Sequence, residues 1–270
     1  MVFYRHFLAS TILSVTSISA AHAASDTGHK TPGHEVKASC SPDEALERLL
    51  DGNKRYVENR FELCRDTTAQ LRDELAKGQH PFAIIVSCSD SRLPPEVIFD
   101  KKPGEIFVVR VAGNTVDPIG LASIEYGVEH LGASLILVLG HERCGAMTAA
   151  YETFATKGSA KSKHDNDDDE EKTERSSKKI SNMETLLSLL KPGVTNAIAK
   201  VKGAKLSKSE MVELAVDENI REVAKNLLKK SPAIRKMVEA DKVRIATAKF
   251  DLDEGTVKLM GRKQCTWVVD

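Results

Sequence analysis

Residues 82–92 read FAIIVSCSDSR, a short apolar run that ends directly at a group of reactive side chains. A continuous apolar run of this length is typical of a strand that is buried on both faces of a parallel sheet. Similar runs follow at Ile106 to Val111 and at Leu135 to Leu139. The segment between them, Ile119 to Leu131, has apolar residues at helical spacing, which favours a strand-helix-strand crossover. We therefore predict an α/β fold with a central, parallel-rich β-sheet flanked by helices.

Helix-start signals lie on both sides of this centre. Ser41-Pro42-Asp43-Glu44 combines an N-cap, a proline at the first helical position and an acidic residue placed for a capping box. We expect an N-terminal helical arm to begin here, with an apolar face that packs on the body of the protein or on a second subunit. Further predicted elements are helices over Thr68–Lys77, after Ser207 and after Ser231, and a terminal hairpin formed by Val243–Phe250 and Thr256–Met260.

The chain has 270 residues, of which 41% are apolar, and this is enough for one sizeable core. We expect a single domain over residues 41–270, preceded by a polar leader at 24–40. A segment at about 157–182 breaks the pattern, because it is crowded with acidic and basic residues and has hardly any apolar ones. We interpret it as a charged, mobile insertion.

Residues 1–23 have the pattern of a secretory signal peptide. Arg5 precedes the apolar stretch Phe7 to Ala20, which runs into the small-residue sequence Ala21-His22-Ala23. A membrane anchor is the alternative, but Ser and Thr dilute the stretch and it falls short of the roughly 20 apolar residues that a spanning helix needs. We expect cleavage after Ala23, a periplasmic or secreted mature protein, and no membrane span in the mature chain.

Charge and cysteine content narrow the function classes. Lysine plus arginine and aspartate plus glutamate number 39 each, so no basic field points to a nucleic-acid partner. The sequence also lacks a glycine-rich phosphate loop, a dinucleotide-binding fingerprint and a serine nucleophile elbow. Five cysteines cannot all pair within one chain, so at least one has another role.

Two of the strand ends carry residues that bind zinc in proteins. Cys88 follows the first apolar run, and His141 and Cys144 follow the third. Loops at the carboxyl ends of parallel strands meet at one edge of the sheet, so these three side chains can come together. Thiolate and imidazole are preferred ligands of zinc, and three protein ligands leave a fourth position open. A water in that position has a pKa near 7 and supplies a hydroxide nucleophile. We therefore predict one catalytic Zn²⁺ per chain.

Asp90 and Arg92 lie within the same motif as Cys88. Asp90 could orient the hydroxide by accepting its hydrogen bond, or it could occupy the fourth metal position itself in a closed form. Arg92 would decide between these states by pairing with Asp90. The pair could also be an ordinary structural ion pair that fixes the loop. A small electrophile such as carbon dioxide needs little more than the nucleophile, a narrow dry pocket and one hydrogen-bond donor.

The motifs CSDSR at 88–92 and HERCG at 141–145 resemble those of the β-carbonic anhydrases. The intervening segments GEIFVVRVAGN at 104–114 and SIEYGVEHLG at 123–132 share the resemblance, as does ALERLLDGNKRYV at 45–57. It implies a zinc-dependent lyase that interconverts carbon dioxide and bicarbonate and assembles as a dimer or tetramer. It also implies that Cys88, His141 and Cys144 bind zinc, that Asp90 orients or gates the catalytic water, and that Arg92 holds Asp90 away from the metal.

Three further residues fall where the plant-like branch of that family places its substrate pocket. They are Gln79, Phe107 and Tyr126, and in that branch such residues often reach the site across a subunit boundary. Taken alone, a Phe in an apolar run or a Tyr on a helix face is commonly a packing residue.

Two other functions remain open on this sequence. Hydrolysis of carbonyl sulfide or carbon disulfide would use a similar site. A zinc-stabilised interaction module would keep the metal without catalysis, although the retained Asp90 and Arg92 argue against that reading.

Overall fold

The structure is a computed structural model that describes residues 40–63, 65, 67–159 and 181–261. The strands are β1 (Ala83–Ser87), β2 (Ile106–Arg110), β3 (Leu135–His141), β4 (Arg244–Phe250) and β5 (Val257–Leu259). The helices are α1 (Pro42–Val57), α2 (Ala69–Leu75), α3 (Pro95–Ile98), α4 (Pro118–Glu129), α5 (Gly145–Ser159), α6 (Asn182–Val201), α7 (Lys208–Lys230) and α8 (Pro232–Glu239).

The five strands form one sheet in the order β2-β1-β3-β4-β5. The first four are parallel, and β5 pairs with β4 in the antiparallel sense. Every residue of β1 and β3 is buried, which explains why both read as unbroken apolar runs. The predicted α/β class, the parallel-rich sheet and the terminal hairpin are confirmed.

The predicted helix starts are confirmed, but the predicted capping box at Ser41 is only half formed, because the Glu44 side chain bonds to Arg48 instead. Ser41 Oγ accepts a hydrogen bond from the Glu44 amide at 3.2 Å, and a proline follows it at the first helical position. Ser207 and Glu210 form a reciprocal capping box at the start of α7. Ser231 Oγ accepts from the Ile234 amide at 3.0 Å and so begins α8.

The N-terminal arm packs on the body of its own chain. Asn53 on α1 donates to the carbonyl of Gly255 at 2.9 Å and accepts from the amide of Val257 at 2.8 Å. Gly52 faces the carbonyl of Phe99 so closely that a Cβ on residue 52 would lie 1.7 Å from that oxygen. Helix α1 is therefore tied both to the sheet edge at β5 and to the segment after α3.

Helix α6 was not predicted from the sequence. It begins at Ser181, whose side chain forms a capping box with Glu184, and it contains Pro192 in its interior. Gly193 allows it to approach α7, because a Cβ there would lie 2.9 Å from Cβ of Asn219. Helices α6 and α7 pack closely together, and α7 lies against β3 and β4.

Several expectations fall on residues outside the described ranges. These are the signal peptide at 1–23, nearly all of the leader at 24–40, and residues 160–180 of the charged segment. In the part of the chain that the structure describes, no helix is long and apolar enough to cross a membrane.

Candidate metal centre

The first candidate ligand lies directly beyond the carboxyl end of β1. Cys88 is buried, and its Sγ accepts a hydrogen bond from the amide of Gly113 at 3.2 Å. Gly113 has φ of 69°, and a Cβ at this position would lie 2.7 Å from the side chain of Leu190. Both the positive φ and the contact with Leu190 disfavour a side chain here, so glycine is the residue best suited to present its amide to the sulfur.

The other two candidate ligands lie at the end of β3 and the start of α5. Nδ1 of His141 lies 2.8 Å from the carbonyl oxygen of Glu142, so Nδ1 carries the proton and the Nε2 lone pair is free to bind. Arg143 has φ of 51°, and this left-handed turn brings Cys144 back beside the histidine. The Arg143 amide donates to Oε1 of Glu213 at 2.7 Å, which fixes the turn.

The ligand atoms of Cys88, His141 and Cys144 all lie within 4.8 Å of one another, and all three residues are buried. His141 Nε2 is buried and has no hydrogen-bond partner among the described residues. A buried polar atom without a partner is costly unless something else binds it. Two sulfurs and one imidazole nitrogen at this spacing fit a single zinc ion, which takes such ligands at about 2.0–2.3 Å.

The two thiols of the cluster have opposite pKa shifts. The hydrogen bond from the Cys144 thiol lowers the pKa of Cys88 below its ordinary value, and backbone amides directed at its sulfur act in the same direction, although burial opposes them. The same hydrogen bond, together with burial, raises the pKa of Cys144 above its ordinary value. A cation bound between the sulfurs would replace the proton that they share.

Asp90 lies at the rim of the cluster and is held by Arg92. Its Oδ1 accepts from the Arg92 amide at 3.0 Å and from Nε at 2.9 Å, and its Oδ2 accepts from Nη2 at 2.7 Å. The Arg92 side chain thereby keeps the pKa of Asp90 well below its ordinary range. The carboxylate is therefore an acceptor with both oxygens turned toward the guanidinium.

Arg110 is a residue of the site that sequence reasoning missed. Its Nε donates to the carbonyl of Cys88 at 3.0 Å and its Nη2 to the carbonyl of Asp90 at 2.7 Å. A guanidinium that bridges two carbonyls of one loop fixes the backbone between them. The sequence signal for Arg110 was its position at the carboxyl end of β2, because site residues collect at the carboxyl ends of parallel strands.

The predicted pocket residues lie near the amino ends of the strands, whereas the metal ligands lie at the carboxyl ends. These pocket residues are Gln79, Phe107 and Tyr126. Gln79 precedes β1, whereas Cys88 follows it, and five strand residues span roughly 13 Å from first to last. Phe107 lies near the start of β2 and its ring is 6.3 Å from the ring of Tyr126, which is near the end of α4. The structure therefore brings Phe107 and Tyr126 together, but it does not bring these residues to the metal ligands of the same chain.

Comparison with known proteins places this chain in a family. The carbonic anhydrase family model matches residues 83–257. Carbonic anhydrase 2 of Mycobacterium tuberculosis is 46% identical over 110 residues, which is 41% of this chain and 53% of that protein. The aligned region thus spans about half the length of this curated relative.

Solved structures with the same fold include a Coccomyxa β-carbonic anhydrase in complex with acetazolamide. Its TM-score is 0.56 at 25% identity, with coverage of 80% of this chain and 86% of that one. One of two tetrameric β-carbonic anhydrases from Sordaria macrospora has a TM-score of 0.57 at 24% identity. The match covers 81% of this chain and 98% of that one. The chain belongs to the β-carbonic anhydrase family.

Proposed function

We propose that this protein is a carbonic anhydrase, a lyase that catalyses the reversible hydration of carbon dioxide to bicarbonate and a proton. The observation that carries the proposal is the buried Cys88, His141 and Cys144 cluster, whose unpartnered Nε2 lies next to the paired Asp90. Membership of the family supports the same reaction.

Cys88, His141 and Cys144 would hold one Zn²⁺ per chain. When bound, zinc supplies a Lewis acid that lowers the pKa of water to around 7, so that a nucleophile forms near neutral pH. The protein holds the ligands ready for the ion, because the Gly113 amide fixes Cys88 and the Glu142 carbonyl fixes the ring of His141.

Asp90 and Arg92 would orient the attacking water. The ionised carboxylate of Asp90 can only accept hydrogen bonds, so it selects the orientation in which the water turns a proton toward it and a lone pair toward carbon dioxide. Arg92 keeps this carboxylate at the rim, with the shorter contact from Nη2 to Oδ2. The proton released in hydration then passes to buffer.

The decisive experiment is stopped-flow carbon dioxide hydration by the purified protein, with zinc per chain measured on the same sample. Turnover that disappears when zinc is removed and returns when it is restored supports the proposal, and Cys144→Ser is the matched control for ligand loss. Full zinc occupancy without hydration, from mildly acidic to strongly alkaline pH, would overturn it. Faster turnover of carbonyl sulfide or carbon disulfide than of carbon dioxide would replace it with the hydrolase alternative.

We also propose that the substrate pocket is completed by a second copy of the chain in a dimer or tetramer. In support, the three pocket residues lie near the amino ends of the strands, at the opposite end of the sheet from the cluster of their own chain. Tyr126 and its helix neighbour Ile119 are also exposed large side chains, 47% and 74% accessible. Assembly as a tetramer is described for the Sordaria macrospora structures.

Export is the last part of the proposal. The apolar stretch Phe7 to Ala20 and the following Ala21-His22-Ala23 support a cleaved signal peptide and a periplasmic or secreted protein. Mass measurement of the protein recovered from outside the cytoplasm tests this, with an N-terminus at Ala24 as the expected result. An intact Met1 on the recovered protein would contradict it.

A further inference from the structure

Helix α7 contacts two backbone segments beside the candidate metal ligands, one after β2 and one between His141 and Cys144. Asn219 Nδ2 donates to the carbonyl of Gly113 at 2.8 Å, and Glu213 Oε1 accepts from the amide of Arg143 at 2.7 Å. Gly113 is the residue whose amide donates to Cys88, and Arg143 lies between His141 and Cys144. One helix is thus hydrogen-bonded to the backbone beside all three ligands, and among the described residues it makes no hydrogen bond to a ligand side chain.

The first of these contacts is buried and braced from behind. Asn219 is only 2% exposed, and Gly193 of α6 lies against its Cβ. Asn219 holds the carbonyl of Gly113 through this hydrogen bond. The amide of Gly113 belongs to the adjacent peptide unit and lies 3.2 Å from the Cys88 sulfur, so holding the carbonyl also restrains the orientation of the amide. Because the packing against Gly193 leaves the Asn219 side chain no room to retreat from Gly113, the contact fixes the direction in which the Gly113 amide points.

The second contact holds a left-handed turn. Arg143 has φ of 51°, a conformation that a non-glycine residue adopts only when its surroundings hold it there. The Glu213 carboxylate accepts from the Arg143 amide with Oε1, and its Oε2 lies 2.6 Å from Lys249 Nζ on β4. The lysine thereby fixes the carboxylate in the direction that suits the turn.

We propose that Asn219 and Glu213 are positioning residues for the metal ligands. Asn219 sets the position of Cys88 through Gly113, and Glu213 sets His141 and Cys144 through Arg143. This inference rests on the proposed zinc site. Outer contacts of this kind change metal affinity by about 10- to 100-fold when they are removed, so each residue should control how long zinc remains bound.

The test for Asn219 uses the full chain loaded with zinc. Asn219→Leu keeps the volume and removes the donor, and Asn219→Ala is a second variant in case the first does not fold. The matched control is Asn226→Leu on the same helix, where Nδ2 donates to Glu222 one turn earlier. We expect zinc transfer to the chromogenic chelator 4-(2-pyridylazo)resorcinol to be about 10- to 100-fold faster for the Asn219 variants, and to remain at the wild-type rate for the control.

The test for Glu213 compares two substitutions. Glu213→Gln keeps an oxygen that can accept from the Arg143 amide but removes the charge that pairs with Lys249. Glu213→Ala removes both. A positioning role predicts that zinc release is faster in Glu213→Ala and that Glu213→Gln restores most of the wild-type rate. Equal release from both variants would assign Glu213 to the ion pair with Lys249 and overturn its positioning role.

A second measurement separates positioning from general stability. In the Co²⁺-substituted protein, the visible absorption of the metal reports the geometry of its ligands, so a shifted spectrum in Asn219→Leu supports the inference. A lower unfolding temperature of the metal-free variant, with an unchanged spectrum and unchanged zinc release, would overturn it. If the wild type binds zinc but does not hydrate carbon dioxide, the proposed reaction alone is overturned. If the wild type binds no zinc, the proposed reaction and the positioning role are both overturned.

Discussion

Oδ2 of Asp90 lies 3.9 Å from Nε2 of His141, too far for a hydrogen bond, while the same oxygen is 2.7 Å from Arg92 Nη2. The Asp90 carboxylate therefore lies beside the cluster, but its side-chain hydrogen bonds go to Arg92. Arg92 thus holds the Asp90 carboxylate next to the cluster, and this pairing defines what the two side chains are expected to do.

Asp90→Ala should reduce kcat/KM for carbon dioxide hydration by about 100-fold or more, because the acceptor that orients the attacking water is lost. Zinc content should stay at one per chain, since Asp90 is not among the ligands. Ser91→Ala, at the exposed neighbouring position, is the control and should retain full activity. Wild-type activity in the Asp90 variant would remove this residue from the mechanism.

Arg92→Lys should lower kcat/KM by about 10-fold or more, because a charge-assisted hydrogen bond contributes roughly 1.5–3 kcal/mol and a lysine cannot reproduce the two-nitrogen contact. Arg92→Ala should free Asp90 to turn toward the metal. X-ray absorption at the zinc edge would then show an added oxygen ligand in Arg92→Ala and none in the wild type. Identical ligand sets would argue that Arg92 only fixes the loop.

Mixed oligomers test whether the site is shared between subunits. Gln79→Ala and Cys144→Ser should each have low activity as separate homo-oligomers. After the two are unfolded, mixed and refolded together, a subunit with intact metal ligands can meet a partner with an intact Gln79, so part of the activity should return. Mixing Cys144→Ser with Cys88→Ser is the control, because no mixed site contains a complete ligand set. Equal recovery in both mixtures would exclude sharing.

Acid stability depends on Asp251 at the turn between β4 and β5. Its carboxylate accepts from the Glu254 amide at 2.9 Å and from the Asp253 amide and Lys258 Nζ at 3.0 Å. These bonds, that from Glu254 first, lower the pKa of Asp251 to about 2. Because the pKa is lower in the folded than in the unfolded state, the stabilisation is present above about pH 4 and is lost as the pH falls toward 2.

Asp251→Asn should therefore lower the free energy of unfolding at neutral pH, and the difference from wild type should shrink between pH 4 and pH 2. Urea unfolding at a series of pH values measures this. Asp73→Asn, at an exposed carboxylate on α2, is the control and should show no such trend. A difference that stays constant down to pH 2 would mean that the Asp251 contacts do not depend on its charge.

The parts of the molecule that could be predicted from the sequence are those with a local signature. β1 and β3 are buried on both faces, so their runs are unbroken, and the loops that follow them meet at one edge. That rule is sufficient to place Cys88 near His141 and Cys144. The helix starts at Ser41, Ser207 and Ser231 are also local, because each cap bonds to an amide three residues later.

The parts that could not be predicted depend on contacts between distant segments. Asn219 and Gly113 are 106 positions apart, and no periodic pattern links them. Helix α6 carries Pro192 in its interior, which is a helix-breaking signal that packing against α7 overrides. The location of Gln79 follows from strand direction. Gln79 precedes β1 and Cys88 follows it, so the two residues lie at opposite ends of that strand.

The bonds from Asn53 to Gly255 and Val257 also bear on how the protein is made. The first helix can complete its packing only after the last strand of the sheet exists, so a growing chain must wait until synthesis is nearly finished before its two ends can join. The contacts between α1 and β5 therefore form among the last in the molecule, and a chain that ends before Gly255 would lack both of them.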